Sequence, residues 1–382
     1  MAHHPRAPHT AFDIVCPSKV LPMEKPPSLS IVLSTRNHMK FLPECLQGIL
    51  TQTFTDFEFL IVDDGSTDDT WSCLESCAQK DSRIRLFRNQ HPLGVIKSYN
   101  QLFRLAQGSH IWSVATDDHC INPGFLNDGF RLLHRFPHAA GFYANMRIVK
   151  MPGEVFERNW ATESQDRFFK PNEIMSLFWK DSGYPCGPSI VLRKTWYERF
   201  HGWPTDLGPQ TDCFLNVVAG GNAGMVYLGK PSVVHRIWQD GTSFTSSQAK
   251  KDLFRCLARM ESLLRLNLPA HPNDNSSWER WRVDAILRVL NTKYEYKILL
   301  KKRRRSFFHF WISIIRDLRH GVSLYCSALS PSFNGSRNSS LKLKERQIAF
   351  TRRIWNHVKI DYQLRLVTRL FRSLQKRLFA SR

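Results

Sequence analysis

The run WSVATDDHC at 112–120 sets two adjacent carboxylates and an imidazole, Asp117, Asp118 and His119, directly after an apolar β-branched stretch. Neighbouring like charges repel, and the end of a strand is a poor place for them unless something binds there. Two further polar clusters follow apolar runs in the same way: STRN at 34–37 after SIVL, and DDGST at 63–67 after FEFLIV. The elements that must carry these clusters alternate in type. Strands are expected at 30–33, 57–62, 84–87, 111–115 and 140–146. Helical spacing falls between them, at 40–50, 68–78, 95–106 and 122–136. Such alternation predicts right-handed βαβ crossovers and a mostly parallel sheet flanked by helices, an α/β fold. In such a sheet the binding crevice lies outside the carboxyl ends of the strands, where the three clusters stand.

Beyond residue 150 the pattern is less regular. Residues 154–170 read as irregular, 172–180 as a short helix, and 189–192 as a strand. A helix-like stretch at 193–200 and a turn-rich loop at 202–210 lead to a helix beginning at Thr211. From residue 247 the composition becomes helical, with amphipathic stretches at 248–268 and 278–300, a polar linker at 327–340 and a last basic helical stretch at 342–378. The organisation expected is a disordered leader over 1–28, an α/β domain over 29–246 and a basic helical C-terminal region over 247–382.

Composition limits the function classes. Of 382 residues, 42% are hydrophobic, enough for a sizeable core. The nine cysteines are an odd number and show no CxxC pair, so neither a disulfide framework nor a zinc site is supported, and a reducing cytosolic setting is expected. No stretch approaches the roughly 18 consecutive apolar residues of a membrane span. The net charge of +21 is concentrated at one end: from Lys293 onward, 22 Lys and Arg face 4 Asp and Glu. Basic and apolar faces together suit helices lying on an anionic membrane surface; a packing helix with a solvated cationic face reads equally from the pattern. Nucleic acid is not an expected partner, because no recognition motif accompanies the charge.

In order and spacing, SIVLSTRN (30–37), LTQTFTDFEFLIVDDGSTDDT (50–70), GVIKSYNQLFRLAQGSHIW (94–112), VATDDH (114–119) and TDCFLN (211–216) resemble the family 2 glycosyltransferases. That resemblance implies the GT-A (Rossmann-like) fold and a nucleotide-diphosphate sugar, most often a UDP-sugar, as donor. It also implies Mn²⁺ or Mg²⁺, hard cations held by one or two carboxylates together with phosphate oxygens. Carried over residue by residue, Asp118 would ligate the metal and Asp117 would face the ribose or donor sugar. Asp64 would read the base; Ser34, Arg36 and Lys97 would line the nucleotide. Asp212 would be the general base of an inverting transfer. Simpler readings stand beside these: a helix N-cap for the Asp117–Asp118 pair, a turn for Asp63 and Asp64, and a dipole-stabilised carboxylate for Asp212. Asp206 is its rival as base.

Departures from the family pattern are visible. Leu-Ser-Thr-Arg-Asn replaces the usual Pro-Thr-Tyr-Asn, so that Arg36 stands where an aromatic would stack on the base. Thr211 replaces a glutamate. In HRIWQDGTS (235–243), Trp238 occupies the position of a metal-contacting histidine, which leaves His235 as the imidazole that could reach in. The Gln-x-x-Arg-Trp signature of processive members is absent. The reading is therefore a metal-dependent inverting transferase moving one sugar to a saccharide or lipid-linked acceptor in cell-surface glycan synthesis, peripheral on the cytoplasmic membrane face. An inactive relative that binds a membrane or partner, and a nucleotidyltransferase, are the competing classes.

Overall fold

The computed structural model describes residues 25–150, 154–158, 165–181, 187–237 and 250–269, with residues 14, 15 and 278. Two compact units divide the chain: Met1–Gln248 with Leu263–Pro272, and Ala249–Ser262 with Asn273–Arg382. The first holds a single large sheet. The described part of the second is the N-terminal stretch of helix α8 (Lys250–Asn267) and Trp278. The C-terminal helices expected at 278–300 and 342–378 lie, apart from Trp278, outside the described residues, as does most of the leader.

Four parallel strands form one half of the sheet, in the order β4 (Ile84–Asn89), β3 (Phe57–Asp63), β2 (Leu29–Thr35) and β5 (His110–Val114). They are the strands whose apolar runs read most clearly. Ile31, Val32, Leu33 and Phe59 to Val62 are inaccessible to solvent, as expected of strands covered on both faces. Helices α1 (Leu42–Leu50), α2 (Thr70–Ala78) and α3 (Val95–Leu105) make the crossovers, and α3 packs over β2 and β3.

Beyond β5 the sheet continues in a mixed sense, through β10 (Ile190–Arg193), β7 (Gly141–Lys150), β11 (Met225–Ile237) and β6 (His119–Cys120). β10 is antiparallel to both neighbours, whereas β11 runs parallel to β7. Short strands β1 (Ile14–Val15), β8 (Glu154–Arg158) and β9 (Arg167–Phe169) add to β4, β7 and β11. So part of the stretch read as irregular at 154–170 is strand, recruited by pairing rather than by an alternating pattern of its own. Helix α4 (Phe125–Arg135) packs on β7 and β11, and α5 (Pro171–Asp181) on α7 (Thr211–Ala223). The short α6 (Lys194–Arg199) and a 3-10 turn at Thr205–Gln210 lead into α7.

A buried acid fixes the edge of the parallel half opposite the clusters. Glu58 accepts from Ser30 Oγ at 2.7 Å and Gln107 N at 2.6 Å, and pairs with Arg85 Nη1 at 2.6 Å. Gly108 donates to Ser30 Oγ at 2.8 Å; a Cβ on Gly108 would lie 2.4 Å from Ser30 N, so only glycine lets the chain enter β5 this close to β2.

Candidate active site at the carboxyl edge of the sheet

Pairing places the three clusters side by side. Thr35 is opposite Asp63, and Leu33 opposite Val114, so the loops after β2, β3 and β5 leave one edge together. Ser34 is half-buried at the end of β2 and Arg36 is exposed just beyond it. The first loop is tied to the second by Asn37, which sits at φ 53°. Its Oδ1 accepts the Thr67 amide at 2.8 Å and its own amide donates to Ser66 Oγ at 2.9 Å. Asparagine tolerates the left-handed region better than most residues because its short side chain bonds locally.

The two aspartates after β3 have different surroundings. Asp63 is fully buried, pairs with Arg88 Nε at 3.0 Å and accepts from Ser66, so it builds the turn. Asp64 is the hub of the neighbouring loop. Its Oδ1 accepts from Asn89 Nδ2 at 2.7 Å, the Leu93 amide at 2.8 Å and Ser98 Oγ at 3.0 Å, and its Oδ2 from the Gly94 amide at 2.9 Å. Only Oδ2, with one donor, retains clear accepting capacity. Gly94 has φ 88°, a conformation that glycine adopts freely, and it starts α3, on whose first turn Lys97 is exposed.

Asp118 is buried, and its carboxylate caps no helix: α4 begins at Phe125, and the Gly124 amide is taken by Asn122 Oδ1. Instead, Asp118 Oδ1 accepts from the Arg236 amide at 2.9 Å, and His235 Nδ1 lies 3.0 and 3.1 Å from its two oxygens. Burial holds the Asp118 carboxyl above the usual carboxylate range, and His235 opposes that shift. A chamber walled by Cys45, Ile49, Trp112, Val114 and Val233 lies behind it. Burial pushes the Cys45 thiol up and the Cys120 thiol to about 12, so neither is a nucleophile at neutral pH. Asp117 is half-buried beside Asp118.

His119 turns the other way. Its Nε2 lies 3.1 Å from Glu44 Oε1, in the first turn of α1, and burial lowers its pKa despite that carboxylate. Glu44 also pairs with Arg236 Nη2. Neither Glu44 nor Arg236 stands out in the sequence. An acid in a first helical turn is ordinary, and the partner lies 192 positions away.

Asp212 occupies the first turn of α7, half-buried, with the Cys213 and Gly187 amides as hydrogen-bond donors and Tyr197 as a neighbour. Burial raises its pKa against those amides. Asp206 is exposed in the preceding turn. Trp238 lies outside the described residues. Among the described residues, no cluster of three or more His, Cys, Asp or Glu side chains is arranged to hold a metal. The donors that do converge are the Asp118 carboxylate and the His235 imidazole. A hard cation accepts a small donor set of this kind when phosphate oxygens complete its shell, and it would relieve the cost of burying Asp118.

A twisted sheet with helices on both faces and its loops gathered at the carboxyl edge defines the GT-A fold. Staphylococcus aureus TarS 1–349, solved with UDP-GlcNAc, superposes with a TM-score of 0.56 at 17% identity, covering 78% of this chain and 81% of TarS. Within that fold, residues 30–200 match the profile described as Glycosyl transferase family 2. The chain is 29% identical over 135 residues to an uncharacterized glycosyltransferase of Haemophilus influenzae (35% of this chain, 42% of the relative). It is 30% identical over 99 residues to the Escherichia coli UDP-Glc:alpha-D-GlcNAc-diphosphoundecaprenol beta-1,3-glucosyltransferase WfaP (26% and 39%). The chain thus spans less than half the length of these two curated relatives.

Proposed function

We propose that the chain is a metal-dependent inverting glycosyltransferase that moves a single sugar from a nucleotide-diphosphate sugar, a UDP-sugar first among candidates, to a saccharide or lipid-linked acceptor. The observation that carries this reading is the convergence of Asp64, Asp117 and Asp118 on one sheet edge, with Asp118 buried against His235 rather than spent on a helix cap. Asp64 Oδ2 accepts a donor of the base, and Ser34, Arg36 and Lys97 line the nucleotide. Asp117 faces the ribose or donor sugar. Asp118, with His235 beside it, would hold Mn²⁺ or Mg²⁺, which would supply positive charge to neutralise the diphosphate leaving group. Asp212 accepts the proton of the acceptor hydroxyl as that oxygen attacks the anomeric carbon from the face opposite the diphosphate. Its raised pKa makes it the stronger base, and the position at a helix start keeps the carboxylate accessible to form.

The test is a panel of UDP-, GDP- and dTDP-sugars assayed for donor hydrolysis and binding with Mn²⁺ or Mg²⁺. At least one donor is expected to be bound and slowly hydrolysed; binding of none would sink the reading. The UDP-GlcNAc complex of TarS and the UDP-Glc-using WfaP support starting with UDP-sugars.

No described helix is long and apolar enough to cross a membrane. The surplus of 22 Lys and Arg over 4 Asp and Glu after Lys293 supports a peripheral site at the anionic cytoplasmic face, where a lipid-linked acceptor would be met. Cosedimentation with anionic liposomes is expected to fall when the chain is cut before Lys293, and unchanged binding would remove the tail from this account.

A further inference from the structure

Arg236, next to His235 in the HRIWQDGTS segment, makes more site contacts than its residue type and spacing suggest. Its amide donates to Asp118 Oδ1 at 2.9 Å, its Nη1 to the Asp117 carbonyl at 2.8 Å, and its Nη2 pairs with Glu44. The guanidinium lies 5.4 Å from the centre of the Phe41 ring and is only 11% exposed. Glu44 in turn holds His119 Nε2 at 3.1 Å. One arginine thus joins the end of β11, the main chain of the Asp117–Asp118 turn and the start of α1.

The direction of each bond matters. Asp118 receives the main-chain amide of Arg236, not its guanidinium, because the guanidinium is turned away onto Glu44 and the Asp117 carbonyl. An arginine free to swing would pair with the nearest buried carboxylate, since charge-assisted bonds are the strong ones. Glu44 therefore keeps the cationic group off Asp118, whose carboxylate instead meets the Arg236 amide and the His235 ring. The planar fork is needed for this, as it serves two acceptors in different directions at once. The ammonium of lysine is a single point charge and cannot hold both with the same geometry.

We propose that Arg236 is a positioning residue: anchored by Glu44, it fixes the Asp117–Asp118 turn so that Asp118 faces the diphosphate of the donor. This rests on the donor-site reading given above and adds two residues to it. Arg236 and Glu44 act on the turn and not on the base-binding loop of Asp64, so the effect should appear chiefly in recognition of the diphosphate with its cation and leave the base untouched.

The experiment uses the full chain and the nucleoside diphosphate that the wild type binds best among UDP, GDP and dTDP. Titration calorimetry with Mn²⁺ is compared for wild type, Arg236→Lys and Glu44→Gln, alongside the corresponding nucleoside monophosphate without metal and thermal melting of each protein. Loss of such a supporting contact is expected to weaken the diphosphate about tenfold. The monophosphate, bound without metal and held mainly by its base, should lose clearly less affinity than the diphosphate does. The donor KM should rise by the same factor as the diphosphate Kd. Unchanged diphosphate affinity in both variants overturns the proposal. So does a parallel loss of both nucleotides with a collapsed melting temperature, which is what a purely structural role would give. A wild type that binds none of the three diphosphates overturns the donor-site reading itself, and this proposal with it.

Discussion

Replacing Asp212 by Asn is expected to lower kcat by about 10²- to 10⁴-fold, the usual worth of a positioned general base. The variant keeps shape and volume at the start of α7, so donor affinity should be unchanged and the loss should lie in turnover. The pH profile gives a second signature. Burial raises the Asp212 pKa, and the base must be deprotonated to act, so activity is lost as pH falls through a value above the range of an exposed carboxylate. That acidic limb should vanish in Asp212→Asn. Asp206→Asn, an exposed change in the preceding turn, should leave both kcat and the limb in place. If Asp206→Asn proved the inactive variant, the proton would have to be assigned to Asp206.

Asp64→Ala is expected to be the most destabilising single change at the site. Four donors would be stranded at once: Asn89 Nδ2, Ser98 Oγ and the amides of Leu93 and Gly94. Removing the shared acceptor of a largely buried polar network costs on the order of 4 kcal/mol. For a domain of this size that corresponds to a fall of roughly 10 °C in melting temperature. Nucleotide binding should be lost as well, because the loop carrying Gly94 and Lys97 hangs on the same carboxylate. Asp64→Asn separates the two roles. It restores one acceptor for the loop and removes the Oδ2 acceptor assigned to the base, so it should recover much of the stability while leaving nucleotide affinity low. Full recovery of both would remove Asp64 from base recognition.

These expectations show where the sequence was informative. The parallel half of the sheet was legible because its strands are covered on both faces and their apolar runs are uninterrupted, as in residues 30–33 and 57–62. The clusters were legible for the complementary reason: a carboxylate pair straight after such a run has no place in a core. β11 was not legible. Gly229, Lys230 and Pro231 interrupt its thirteen residues and the register with β7 shifts between Leu228 and Val233, so no continuous apolar run announces the strand. β6 is two residues long and exists only because β11 passes beside it. Glu44 and Arg236 were missed because their significance is tertiary; neither residue type nor local spacing distinguishes them from surface charges. His119 is accounted for by the same contact, its ring nitrogen being turned to Glu44 rather than to the carboxylate pair. His235, by contrast, does reach Asp118.

In the proposed donor site, Asp118 would hold a divalent cation against the diphosphate of the donor. The most direct measurement of this is calorimetric binding of the preferred nucleoside diphosphate, with and without Mn²⁺, to wild type and to Asp118→Asn. The cation should tighten wild-type binding at least about tenfold, as expected for a metal ligand shared between carboxylate and phosphate, and should leave Asp118→Asn unaffected. Wild-type binding indifferent to Mn²⁺ and Mg²⁺, or an Asp118→Asn variant that responds to the cation as wild type does, would contradict it.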